Sequence, residues 1–211
     1  MVQNKPGSQK LSYAEIVKTP RHANSNSSTK SGTSGPLNFS SSCFSFPPSV
    51  TLLRTELFEV RKTLNKGYGA FAIRDIEIGT VILIEEPLLK AEIMTVYYEF
   101  EKLNHMQRIQ YCSLAGRTGE GSTIISIFET NRFQITKTVG GIFFKSSRFN
   151  HACHPFSVCT FTYDEKKDVL VTTAIQKIKK GHEITISYTN DPSTLPEYYG
   201  FSCDCLRCTT D

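Results

Sequence analysis

Three of the seven cysteines fall within six residues, Cys203, Cys205 and Cys208, and this C-x-C-x-x-C cluster constrains the chain more than any other feature. Seven is an odd number, and in a reducing compartment such spacing reads as metal ligation before disulfide formation. Structural zinc takes four ligands in a tetrahedron, and thiolates are the usual choice. The cluster supplies three. The fourth has to come from elsewhere, with Cys153, Cys159, Cys112, Cys43 and the histidines as candidates. Cys153 is favoured over its alternative role as a small buried thiol. Its segment, Arg148-Phe149-Asn150-His151-Ala152-Cys153, also carries an Asn-His pair that the metal would hold in place. Folding of the tail would then be coupled to zinc binding.

At 211 residues and 39% hydrophobic, the chain has material for one domain with a real core, plus a tail. The net charge of +4 comes from scattered Lys and Arg without a dense basic stripe, so direct nucleic-acid binding is not expected. No apolar run approaches the length of a membrane span, and residues 1–10 are polar, unlike a signal peptide. A soluble intracellular monomer is expected, nuclear or cytoplasmic, with no membrane partner.

Residues 1–50 are rich in Ser, Thr, Asn, Gly and Pro and bury too little apolar surface to offset their ordering entropy. A disordered tail is expected there, with residues 11–17 able to dock as a short helix. Residues 57–61 and 70–73 alternate as two strands around the glycine turn at 65–69, and residues 80–85 form a third strand stopped by Pro87. Gly67 and Gly69 are either hairpin punctuation or part of a ligand loop. Between 88 and 114, Leu89, Ile93, Val96, Phe100, Leu103 and Met106 recur at helical spacing, which predicts an amphipathic helix or a helical pair with Tyr97, Tyr98 and Phe100 in the core. After a turn at 117–122, residues 124–135 predict a further helix with Asn131 near its end. The helical insertion thus spans about 88–135. Gly140 and Gly141 break the pattern. Residues 158–163 and 169–174 read as strands joined by the charged turn 164–168, and residues 184–188 as a last strand. The fold class is mainly β with a helical insertion (α+β), built of short hairpins without a parallel βαβ repeat. One domain over 51–202 and a metal-binding tail over 203–211 are expected.

Four motifs follow one another in a telling order: Lys66-Gly67-Tyr68-Gly69, Asn150-His151-x-Cys153, Gly181-His182-Glu183-Ile184-Thr185-Ile186-Ser187-Tyr188, and Tyr199-Gly200-Phe201-x-Cys203-x-Cys205-x-x-Cys208. Over residues 57–208 the chain resembles SET-domain protein lysine methyltransferases, closest to the SET and MYND subfamily and its fungal relatives without a MYND finger. The resemblance implies a SET-domain β-clip with a zinc-binding post-SET tail. It also implies transfer of a methyl group from S-adenosylmethionine to a lysine of a protein substrate, histone or other. By position, Tyr188 and Tyr199 match the two active-site tyrosines. Lys66, Gly67, Tyr68, Asn131, Asn150, His151 and Phe201 match cofactor contacts, with Phe201 closing over the adenine, and Cys153, Cys203, Cys205 and Cys208 match the zinc ligands. The chemistry asks for such residues: a neutral amine must be aligned with a methyl group in a channel, and a phenol offers a hydrogen bond there without carrying charge.

The chain departs from the family pattern at Ala152 and Phe156, where a Ser and an Asn are usual. Their loss is expected to loosen the crossing around Asn150 and His151, and it motivates an alternative reading, a catalytically degenerate SET module acting as a zinc-stabilised binding or scaffold protein. His182 replaces an acidic residue. Residues 189–197 are shorter than in many relatives and contain Pro192 and Pro196, and with no helical domain after Asp211 the substrate groove is expected to be more open. A zinc-ribbon nucleic-acid binder is disfavoured, because there is one cysteine cluster and no second pair.

Overall fold

A computed structural model describes residues 53–63, 66–117 and 123–209. The expected tail over 1–50, with its possible helix at 11–17, and most of the turn at 117–122 lie outside the described residues. The first strands are β1 (Leu53–Arg54), β2 (Phe58–Lys62) and β3 (Tyr68–Ala72), an antiparallel sheet in that order. Alternation sets its faces. Phe58 and Val60 point into the core and lie opposite Ala72 and Ala70, so each large side chain meets a small one across the ladder.

The second sheet carries the site. Its order is β4 (Val81–Glu85), β10 (Val169–Ala174), β9 (Cys159–Asp164), β11 (Thr185–Ile186) and β8 (Asn150–His151). The β4–β10 and β10–β9 pairs are antiparallel, but β11 runs parallel to both β8 and β9, pairing Thr185 with Asn150 and Ile186 with His151. The strand expected over 184–188 is therefore shorter. Residues 181–184 instead hydrogen-bond to β3, through Gly181 N to Ala72 O at 2.7 Å and Ile184 N to Ala70 O at 2.8 Å. The segment thus crosses from the first sheet to the second and brings Glu183 between them.

The helical insertion begins differently from its periodic pattern. Leu89 belongs to a strand, β5 (Leu89–Ala91), which joins β7 (Gly140–Ile142) and β6 (Phe133–Gln134) in a third sheet ordered β5-β7-β6. Three helices follow β5: α1 (Val96–Glu101), α2 (His105–Cys112) and α3 (Thr123–Asn131). Asn104 and Gln107 start α2 with reciprocal side-chain to backbone bonds of 3.0 and 2.9 Å. Phe100 is buried, but Tyr97 and Tyr98 are 44% and 67% exposed, so the core placement expected for these tyrosines is corrected: they lie on the outer face of α1. Gly140 and Gly141 lie beyond the helical pattern, as expected: the last helix of the insertion ends at Asn131. They form β7, where a Cβ on Gly141 would stand 2.7 Å from Ile135 Cδ1 and 2.8 Å from Phe143 Cε2, so the strand requires glycine at that position. These elements enclose a small core of their own around Val96, Phe100, Tyr111, Ile127 and Phe128.

The main core lies between the first two sheets, where edge-to-face rings pack Phe58 on Phe149 at 5.3 Å and Phe133 on Phe161 at 5.1 Å. After β11 a short helix α4 (Leu195–Tyr199) ends at Gly200, whose φ of +76° suits glycine, and α5 (Leu206–Thr209) closes the described chain.

Candidate active site

The thiols come together. Cys153, at the end of the β8 segment, places its Sγ 3.8 Å from that of Cys203 and 3.5 Å from that of Cys208, and the four Sγ atoms including Cys205 all lie within 4.8 Å of one another. A tetrahedron of Zn–S bonds of about 2.3 Å has sulfur–sulfur edges of about 3.8 Å. The donor set therefore fits zinc, with the Cys153 thiol standing in the fourth place. Cys112 and Cys159 lie outside the cluster, and Cys43 lies outside the described residues. Burial pushes the Cys153 and Cys203 thiols up. Burial also raises Cys205, but hydrogen bonds to it from within the cluster outweigh that effect and bring it down to about 6. A metal bound here would complete the deprotonation and tie the tail to the β8 segment.

Beside the cluster opens a cavity of about 330 Å³. The β2–β3 turn and the start of β3 contribute Lys66, Gly67 and Tyr68, the end of α3 contributes Asn131, β8 and the residues after β11 contribute Asn150 and Tyr188, and the end of α4 and the tail after it contribute Tyr199 and Phe201. Asn131 is buried and donates from Nδ2 to Ala115 O at 2.5 Å and Ile127 O at 2.8 Å. Asn150 Nδ2 donates to Glu183 Oε1 at 2.7 Å and to Tyr68 O at 3.3 Å. The two glycines of the turn have separate reasons. Gly67 has a φ of +68°, whereas a Cβ on Gly69 would collide with Glu183 Oε1 and lie 2.7 Å from Asn150 Nδ2.

Tyr188 is held at both ends. Its hydroxyl donates to Phe149 O at 2.8 Å and its backbone N–H donates to His151 Nδ1 at 2.9 Å. The Tyr199 ring packs 5.0 Å from that of Tyr188, with Phe201 6.3 Å beyond Tyr199. Burial, then the neighbouring Tyr199 and Glu183, push the Tyr188 phenol far above its ordinary value. Burial pushes Tyr199 up to about 12, against an opposing effect of Arg132. Both phenols are neutral at physiological pH. A second cavity, about 250 Å³, is lined by Cys159, Phe161, Ile175 and Ser187 among others, and Tyr188 is the one residue common to both linings. His151 lines neither cavity; its ring is buried behind Tyr188.

Three residues reach the site without having been singled out from the sequence. Glu183 holds Asn150. Ser147 Oγ and Arg148 Nε are buried, line the larger cavity and have no hydrogen-bond partner. Arg148 is 5% exposed and donates from Nη2 to Ser113 O and Oγ at 3.1 and 2.8 Å, and among the described residues it has no carboxylate within ion-pairing distance. Burial holds it down to about 10, so it stays charged at neutral pH. Its guanidinium lies over the Phe144 ring at 5.1 Å and the Tyr68 ring at 5.9 Å, and a buried cation without a carboxylate partner in an aromatic-rimmed cavity calls for a ligand that combines an anionic group with a planar ring. S-adenosylmethionine, with its carboxylate and its adenine, has that composition. A signal was available: Ser146-Ser147-Arg148 stands between the apolar pair Phe143-Phe144 and Phe149, so the arginine is flanked in sequence by core residues.

Residues 67–189, more than half of the chain, match the SET domain family. The chain belongs to it. Histone-lysine N-methyltransferase set5 of Schizosaccharomyces pombe is 28% identical over 167 residues, which are 74% of this chain and 52% of the relative. Histone-lysine N-methyltransferase ASHR2 of Arabidopsis thaliana is 35% identical over 83 residues, 34% of this chain and 20% of that protein. The SET chain thus spans about half the length of the first of these relatives. Among solved structures, the SET domain of LSMT bound to lysine and AdoHcy superposes with a TM-score of 0.52 at 12% identity, over 72% of this chain and 54% of that one, a likeness of fold.

Within this SET domain the departures at Ala152 and Phe156 lie outside both cavity linings, whereas Thr189 and Asn190 of the shortened segment line the smaller one. Ala152 keeps the backbone ladder running, with its N–H donating to Ile186 O at 3.1 Å, and Phe156 is 41% exposed in the turn after Cys153.

Proposed function

We propose that this SET domain is a protein-lysine N-methyltransferase, and that Tyr188, common to the linings of both cavities, is where its two substrates meet. The reading places S-adenosylmethionine in the larger cavity and the side chain of a protein lysine in the smaller one. Arg148, Ser147 and Lys66 would hold the cofactor's polar end, Asn131 and Asn150 would position it, and Phe201 would cover its ring. When bound, this cofactor supplies a methyl group on a sulfonium. The family and the histone-lysine methyltransferase relatives support the reading, as does the lysine and AdoHcy in the LSMT structure.

The chain's own residues then act by placement. Tyr188 and Tyr199 present neutral phenols in the cavity wall, where they orient the lysine amine by hydrogen bonding. The amine must arrive unprotonated, since its lone pair forms the new bond, and a cavity rim without a carboxylate favours the neutral form. Zinc on Cys153, Cys203, Cys205 and Cys208 would take no part in the transfer and would hold Phe201 and Tyr199 over the cavity. The protein substrate would be a histone or another lysine-bearing protein, the active unit a monomer, and the location nuclear or cytoplasmic.

The test is transfer of labelled methyl from S-adenosylmethionine to a histone pool by zinc-loaded protein. Label on lysine that falls on the order of 100-fold in Tyr188→Phe supports the reading. Folded, zinc-loaded protein that neither transfers label nor binds the cofactor would favour the scaffold alternative.

A further inference from the structure

We infer that His151 is a positioning residue that ties the thiolate cluster to Tyr188, an inference that rests on the methyltransferase reading for its consequence but not for its geometry. His151 sits in β8 with 2% exposure, and its two ring nitrogens face opposite partners. Nδ1 stands 2.9 Å from the backbone N of Tyr188, and Nε2 stands 3.2 Å from Cys153 Sγ. A backbone N–H can only donate, so Nδ1 must present its lone pair. The neutral ring then carries its hydrogen on Nε2, and that hydrogen is donated to sulfur. The tautomer is imposed by Tyr188, and the tautomer gives Cys153 its donor.

The same extended segment grips Tyr188 twice. Phe149 O accepts the phenol hydroxyl, and two residues on, the His151 ring accepts the backbone N–H. Two residues further, Cys153 enters the cluster. Phe149 through its carbonyl, His151 through its ring and Cys153 through its thiol thus act from one stretch of five residues, which holds the tyrosine at both ends and the thiol cluster at its own end. An N–H donated to a metal-bound thiolate stabilises its charge and orients it, a contribution whose loss ordinarily costs tenfold or more in metal affinity. In the other direction, a Cys153 clamped by metal fixes the ring that fixes Tyr188. His151 therefore acts through Tyr188 and Cys153, without lining the cavity that would hold the cofactor.

Two substitutions in the full chain separate the halves of this link. In His151→Asn the amide oxygen falls near the place of Nδ1 and keeps the acceptor for Tyr188, but the donor to sulfur is gone. In His151→Gln the amide nitrogen reaches toward the place of Nε2 and keeps the donor to Cys153, but the acceptor is gone. Metal affinity would be read by chelator competition and by the sulfur-to-metal charge-transfer band of the cobalt form. The Tyr188 backbone amide would be read by NMR of tyrosine-labelled protein, and methyl transfer by kcat and KM. The expected result is a split. His151→Asn loses on the order of tenfold in metal affinity and shifts the cobalt band while its Tyr188 amide signal stays. His151→Gln keeps the metal properties, moves the Tyr188 amide upfield and loses kcat more than KM. Equal changes in both variants, or none in either, would overturn the link, as would an imidazole nitrogen spectrum with the hydrogen on Nδ1. The metal and amide readouts do not depend on turnover. A protein that shows the split but transfers no methyl would therefore refute the methyltransferase reading and leave the His151 link standing.

Discussion

Lys66 Nζ lies 2.6 Å from Asp204 Oδ1, so the turn at the edge of the larger cavity is ion-paired to the loop between two of the clustered thiols. Burial lowers the Lys66 ammonium, but the Asp204 carboxylate outweighs it and the net effect is to raise it. A raised value means the pair's stabilisation is complete below the ordinary lysine value and is lost only as pH rises through the folded one, so it is fully present at neutral pH. With the Asp204 side chain 60% exposed, the pair contributes little to global stability, about 0–1 kcal/mol. Its effect should appear in binding. Asp204→Asn is expected to leave Tm nearly unchanged and to weaken S-adenosylmethionine binding a few-fold, a difference that shrinks in high salt; calorimetry at two ionic strengths checks both.

Arg148→Met makes an inverse prediction. The substitution removes a buried cation that has no carboxylate partner, so the free protein is expected to be as stable as the parent or more so, despite losing the bonds to Ser113 and the contacts with the Phe144 and Tyr68 rings. Cofactor binding is expected to weaken by about 10- to 100-fold, the size of a hydrogen bond to a charged group. Thermal melts with and without cofactor test it, and a destabilised variant that binds normally would contradict the assignment.

Gly69→Ala asks whether close approach at the turn matters. The added Cβ would push into Glu183 Oε1 and Asn150 Nδ2, both side-chain atoms, so the fold should survive with a loss of about 1–3 kcal/mol. The bond between Asn150 and Glu183 should not. A chemical denaturation curve and a cofactor titration together show whether the loss falls on stability alone or on binding as well.

The pH profile follows from the tyrosines. Tyr199 holds its proton up to about 12 and Tyr188 higher still, so neither can supply a falling limb in the ordinary alkaline range. The rate at fixed substrate should rise with pH as the lysine amine, ordinarily near 10.4, loses its proton. A fall beginning near pH 9 in protein that circular dichroism shows to be folded would mean that one phenol ionises far more readily than its burial allows.

Chelation of the metal is expected to act on the cavity as well as the tail. Phe201 and Tyr199 lie just before Cys203 in the chain and line the cavity wall. Stripping zinc should therefore abolish cofactor binding while most of the strand circular dichroism remains, and returning zinc should restore it.

What the sequence by itself determined is local. Period-two alternation gives β2, β3, β4, β9 and β10 to within a residue or two, because each strand has one face toward the core and one away from it. The cysteine spacing brings three ligands together without any tertiary information. Where the local pattern misled, long-range packing was responsible. Leu89 has helical spacing but pairs in β5, and Tyr97 and Tyr98 occupy an outer face that no helical period distinguishes from an inner one. The site itself was decided by tertiary structure. Cys153, favoured from the sequence as the fourth thiol, meets the other three only in the fold, and Glu183 became the partner of Asn150 when β11 ran parallel between β8 and β9, a pairing between residues more than thirty positions apart that leaves no periodic trace in the chain. Spacing can bring a residue's near neighbours to a metal, but only the crossing of distant segments can give an arginine a cavity to face.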